Sequence, residues 1–117
     1  MFLVATATTF AGAVLAACGQ GKGKVEGIAA SDVPVGSAIE IDGFIIAQPT
    51  AGSYRAYSAT CPHQGALIEK FHEGTAICTK HNSVFKLEDG SPISGPSRGA
   101  LMPAKLSAEG TQLSVQK

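Results

Sequence analysis

The 117 residues are enough for one small domain and too few for two. Nine basic residues balance nine acidic ones and both are scattered, so the chain lacks the basic stripe that nucleic acid requires, and its net charge steers no ligand. With no Trp, two Tyr, five Phe and fourteen Gly, the composition suits a loop-rich β domain with a modest core.

The chain opens with an uncharged stretch, Met1 to Ala17, that ends in Leu15-Ala16-Ala17-Cys18. It resembles a bacterial lipoprotein signal with its lipobox, which implies removal of residues 1–17 and attachment of lipid to Cys18. The stretch falls short of the about 20 residues that a membrane span needs, and it has the small-residue ending of a processed segment. An uncleaved apolar anchor is the alternative. The first basic residue, Lys22, lies beyond the cleavage point, so a basic segment is expected upstream of Met1. Residues 18–30 are Gly-rich and polar at their start, and are expected to form a lipidated Cys18 with a flexible tether reaching on the order of 20 Å. The domain proper is then residues 31–117.

Within that domain, β-forming residues flank Asp42-Gly43 from Ala38 to Ile46, a hairpin pattern. A turn follows at Pro49 to Ser53, and Tyr54 to Ser58 reads as the next strand. Further strands are expected at Ala66 to Lys70, Thr75 to Cys78, Val84 to Leu87, Ala104 to Ser107 and Thr111 to Val115, with turns at Glu88-Asp89-Gly90 and Ala108-Glu109-Gly110. No helix of useful length and no internal repeat is visible. Short strands at regular spacing predict an all-β fold, a small sandwich or open barrel. Tyr54 and Tyr57 are expected to pack in it.

Two motifs carry the chemistry: Cys61-Pro62-His63-Gln64-Gly65 and Cys78-Thr79-Lys80-His81-Asn82-Ser83. Each holds one thiol and one imidazole, as C-x-H, fourteen residues, then C-x2-H. A structural zinc ion also takes two Cys and two His, but its common patterns pair like with like, C-x2-4-C and then H-x3-5-H. A Cys61–Cys78 disulfide would leave two positioned histidines without a role. The third histidine, His72, falls in Phe71-His72-Glu73-Gly74 and reads as an exposed turn residue.

The paired motifs, the Asp89-Gly90 turn and Gly95-Pro96-Ser97, which resembles a proline loop, together resemble a Rieske 2Fe-2S domain over residues 31–117. The resemblance implies that Cys61 and Cys78 bind one iron of a single cluster and His63 and His81 the other, in a rubredoxin-like subdomain of the all-β fold. Two thiolates and two neutral imidazoles around two ferric ions and two sulfides sum to about zero charge, against about −2 with four thiolates, so reduction meets less repulsion. It also implies solvent-accessible imidazoles that pass electrons, loops stiffened by Pro62 and Pro96, and a Ser83 hydroxyl that donates to a bridging sulfide. Phe85 stands where high-potential members have a tyrosine that donates to a cysteine sulfur, and neither Ala66 nor Lys80 is the cysteine of an inter-loop disulfide. Asn82, where relatives have Gly, predicts a positive φ.

The function expected is a lipid-anchored one-electron carrier on the outer face of a bacterial cytoplasmic membrane, within the cell envelope. Its partners would be a redox donor and a redox acceptor, with no substrate chemistry of its own. A small Rieske subunit of an oxidoreductase is the alternative, and a zinc-stabilised interaction module a more distant one. A cluster inserted before export would call for a twin-arginine signal.

Overall fold

In the computed structural model, which describes residues 23–62, 65–80, 82–97 and 99–117, the described chain is built mainly from antiparallel strands, with a short 3-10 turn at Ala30–Asp32. The strands are β1 (Lys24–Ala29), β2 (Ser37–Ile41), β3 (Phe44–Thr50), β4 (Ser53–Ser58), β5 (Lys70–His72), β6 (Thr75–Cys78), β7 (Ser83–Lys86), β8 (Pro92–Ser94), β9 (Lys105–Glu109) and β10 (Gln112–Gln116). They form three sheets, ordered β9-β10-β1, β2-β3-β4 and β5-β6-β7-β8.

The middle sheet organises the other two because β3 is buried on both faces. Phe44-Ile45-Ile46-Ala47 is a continuous apolar run, the signature of a strand with no solvent face. Pleating sends its side chains alternately to opposite sides. Phe44 and Ile46, with Ala56 on β4, join Ile28, Val33, Leu113 and Val115 in one core cluster against the β9-β10-β1 sheet. Ile45 and Ala47, with Ala38 and Tyr57, join Ala59, Cys61, Ile68, Ala76, Cys78, Phe85, Leu87 and Leu101 in the other. The register follows, since Ile45 pairs with Tyr57 and Ile46 with Ala56. The β2–β3 hairpin turns at Asp42-Gly43, both at positive φ (48° and 86°), as a tight primed turn requires.

Three differences from the expected elements have local causes. Residues 24–29, expected as part of a flexible tether, form β1, paired with β10. Opposite this strand Leu113 pairs with Ile28 and Val115 with Val25, so Glu26 and Gly27 share the place facing Ser114, and Gly27 has φ 73°. That bulge puts Val25 and Ile28 three residues apart and breaks the two-residue alternation by which a strand is read. The strand expected at Ala66 to Lys70 is reduced to one bridge, Leu67 to Thr60, before β5 begins at Lys70. The short edge strand β8 starts at a proline, a residue that such edges tolerate because one face of the strand needs no donor. His72 ends β5 as an exposed residue, its Nε2 3.7 Å from Glu73 Oε1.

Tyr57 ties the middle sheet to the β7–β8 turn, its buried hydroxyl donating to the Leu87 carbonyl oxygen at 2.8 Å. Burial pushes its pKa up to about 12. In Tyr57→Phe the Leu87 carbonyl loses this donor, and the expected cost is about 1 to 3 kcal/mol, read as a lower urea midpoint at unchanged slope. The folded pKa lies above the unfolded 10.0. The unfolded chain therefore releases this proton first, and wild-type stability is whole below pH 10 and falls as the pH rises toward 12. Tyr57→Phe removes that component of the alkaline loss.

Candidate metal centre

Both cysteine motifs sit at hairpin tips of the same construction. In the first, Thr60 bridges Leu67, Ile68 N–H donates to Ala59 O at 2.8 Å, and Cys61 N–H donates to Ala66 O at 2.8 Å, so residues 61–66 close a loop. In the second, Cys78 at the end of β6 pairs with Ser83 at the start of β7. Each tip is then fastened by one bond. The Cys61 carbonyl accepts from Gly65 N–H at 2.8 Å, and the Cys78 carbonyl accepts from Asn82 N–H, also at 2.8 Å. Four residues on from each cysteine, the chain reverses through the left-handed region, with φ 74° at Gly65 and 61° at Asn82. The expected positive φ at Asn82 is therefore present, and the residue is among the few non-glycine types that hold it at modest cost.

The two thiols end up in one buried cluster, each 2% exposed, packed with Ile68, Ala76 and Phe85, and neither is in a disulfide. His63 and His81, the other half of the expected donor set, lie outside the described residues, as does Cys18. Alternation along β6 and β7 puts Ala76, Cys78, Ser83 and Phe85 on one inward face, with Cys78 directly opposite Ser83 and Ala76 opposite Phe85. Phe85 is fully buried and brings no hydrogen-bond donor to that face.

Ser83 is the polar exception there, at 0% exposure. Its Oγ accepts from Ser97 N–H at 3.1 Å. A hydroxyl has one proton to give as well as lone pairs to fill, and among the described residues no acceptor takes that proton. The donor set fits a thiolate-held cluster: two buried thiols in one core cluster, and opposite one of them a buried hydroxyl whose proton no acceptor among the described residues takes.

The segment supplying Ser97 N–H is the proline loop, and it is pressed against the second tip. A Cβ on Gly95 would lie 2.5 Å from Ser83 Cα and 2.7 Å from Asn82 O, so only glycine lets the two backbones meet. Ser97, itself buried, donates its hydroxyl to Gly99 O at 3.0 Å, and a Cβ on Gly99 would sit 3.7 Å from Pro62 Cβ. The loop thus spans both tips. Pro96, expected to stiffen this region, is exposed, and the close contacts are made by its neighbours. Gly95 was legible as part of a segment resembling a proline loop, whereas nothing in the residues signalled its approach to residues 82–83.

Among known proteins, the Rieske [2Fe-2S] domain family matches residues 20–107, an interval that takes in β1 and starts ahead of the expected boundary at 31. A candidate respiratory nitrate reductase Rieske subunit from Haloferax mediterranei is 37% identical over 60 residues, 49% of this chain and 27% of that protein. The chain thus aligns with about a quarter of the length of this relative. Among solved structures, the ferredoxin of carbazole 1,9a-dioxygenase from Nocardioides aromaticivorans superposes with TM-score 0.61 at 20% identity, over 80% of this chain and 97% of that one. A quaternary ammonium Rieske monooxygenase gives TM-score 0.65 at 17% identity, over 83% of this chain and 31% of that one. At such identities these two likenesses speak for the fold alone. The family match covers most of the chain and includes both cysteine tips and the loop that clamps them, so this chain belongs to the Rieske [2Fe-2S] domain family, binds one 2Fe-2S cluster and carries electrons.

Proposed function

We propose that this chain is a lipid-anchored one-electron carrier in which Cys61 and Cys78 ligate one iron of the cluster and His63 and His81 the other. The observation that supports this most directly is the repeated tip: two buried thiols held by the same i to i+4 bond on neighbouring hairpins. Each motif places its imidazole two or three residues past the cysteine, inside the turn that this bond closes. When bound, the cluster supplies reversible one-electron chemistry. The chain's own residues fix two thiolates away from water, and Ser83 keeps a hydroxyl proton available to a sulfur acceptor on the inward face. Phe85 offers none.

Cys18 carries the lipid in this reading, which puts the domain in a bacterial cell envelope, on the outer face of the cytoplasmic membrane, between a donor and an acceptor protein. Among the described residues, no helix is long and apolar enough to cross a membrane. The alternative, a small Rieske subunit of an oxidoreductase, is favoured by the Haloferax relative, whose name places it in a respiratory nitrate reductase. Both assign the same task to the metal centre.

Replacement of either cysteine by Ser, or of either histidine by Ala, is expected to abolish the Rieske EPR signal of the dithionite-reduced protein. An intact signal in Cys78→Ser would sink the ligand assignment. Hydrogen bonds to sulfur stabilise the more negative reduced state, so Ser83→Ala should lower the reduction potential and Phe85→Tyr should raise it. One net hydrogen bond of about 1 kcal/mol corresponds to about 40 mV for one electron. Wild type is expected in the lower part of the range of about −150 to +300 mV that Rieske centres cover. Protein-film voltammetry reads all three values, and an unchanged potential in Ser83→Ala would show that its hydroxyl is directed elsewhere. Cys18→Ser should block both signal removal and labelling with radioactive palmitate, and equal labelling of the variant would rule out the lipobox.

A further inference from the structure

Because β1 begins at Lys24, the stretch between Cys18 and the folded edge at Gly23 is five residues, not a dozen. Fully extended it spans at most about 18 Å, at 3.3 to 3.6 Å per residue. A lipid on Cys18 would therefore hold one particular edge of the domain close to the bilayer. That edge is identified by the Gly23 carbonyl, which accepts from Lys117 N–H at 3.1 Å, so the described chain enters the fold beside Lys117.

Lys117 also lines a groove of about 670 Å³, together with Phe44, Met102, Pro103, Ala104 and Thr60. The groove is mainly apolar. Met102 is 67% exposed, the most exposed of the large apolar side chains among the described residues. It is held out on a segment pinned to β4 by two backbone bonds, Ser58 N–H to Met102 O at 2.8 Å and Ala104 N–H to Ala56 O at 3.0 Å. Asp42 is the acid of the groove wall, set against Lys117, so no net positive charge draws this edge to anionic headgroups. Its affinity for a surface would come from apolar burial.

We propose that this edge is the membrane-docking face of the domain: the chain's own anchor brings it to the bilayer, and Met102 enters the boundary between headgroups and acyl chains. The proposal rests on lipid attachment at Cys18. It sets the orientation of the metal centre, since Thr60, which lines the same groove, immediately precedes Cys61. The first cysteine tip is then held near the lipid surface instead of swinging above it, and the partners that exchange electrons with it are those that reach this height.

The chain has no Trp, so one substitution supplies a unique fluorophore. Full-length lipidated protein carrying Met102→Trp is bound to phosphatidylcholine vesicles with or without dibrominated acyl chains. The control is Thr111→Trp, an exposed turn residue at the far end of the β9-β10-β1 sheet, where Gln112 pairs with Ala29 while Lys24 pairs with Gln116. An interfacial side chain sits about 5 to 10 Å into the boundary, so bromolipid should quench Met102→Trp roughly twofold and leave Thr111→Trp unchanged. Both variants must keep the visible spectrum of the cluster, and mass spectrometry must find lipid on Cys18. Lipid present with Met102→Trp unquenched, or both variants quenched alike, overturns the docking face alone. Absence of lipid on Cys18 overturns the anchor reading and the docking face with it. An emission shift in Met102→Trp that follows protein concentration and not vesicles assigns the groove to a second copy of the chain, and also overturns the proposal.

Discussion

The constraint on which the rest depends is the carbonyl of each motif cysteine, which is capped by a backbone N–H four residues later while the thiol packs into the core. Gly65 and Asn82 provide the caps, each at positive φ. A β-branched residue at either place would resist that φ, and the N–H would swing off the cysteine carbonyl. Two tips built this way form a pair of similar half-sites, and their similarity lies in backbone geometry, not in side-chain order, because one motif is C-x-H and the other C-x2-H.

Fixing the tips relative to each other falls to two other parts of the molecule. From below, the core cluster reaches Cys61 and Cys78 through Ile68, Ala76 and Phe85, and β3 links this cluster to the second one by facing both. From above, Gly95 lies against Asn82 and Ser83, Ser97 holds the Ser83 hydroxyl, and Gly99 approaches Pro62. The proline loop therefore does more than cover the site. By filling an acceptor position of Ser83 Oγ, its backbone N–H limits where the hydroxyl proton can go, so a residue fourteen positions away sets the direction of a donor beside Cys78.

Much of this was legible in the residues and some was not, for physical reasons that differ by element. The β2–β3 hairpin announced itself through Asp42-Gly43, and β6 through its own alternation, because in both places short-range chemistry and tertiary structure agree. The paired motifs carried the cofactor class through their resemblance to a known family, since residue types at fixed intervals are written in the chain directly. Strand β1 was hidden by a bulge at Gly27, and β8 by its proline. Gly95 and Ser97 were hidden in another way: what matters about them is a contact with residues 82 and 83, and a non-local approach leaves no local trace.

The hidden strand changes the functional geometry more than any of the elements that were visible. With β1 read as tether, the domain would be a sphere on a string, and the orientation of its metal centre would be set only by whichever partner it met. With β1 in the sheet, the chain enters beside Lys117, and under the proposed lipid attachment at Cys18 the link would comprise only the few residues before Gly23. Shortening a flexible link restricts the volume its end explores, which raises the effective concentration of anything fixed to the same surface. Under the proposed anchor, a carrier held this way would gain encounter frequency with membrane-borne partners and lose reach toward distant ones, and the bulged strand would be what sets that balance.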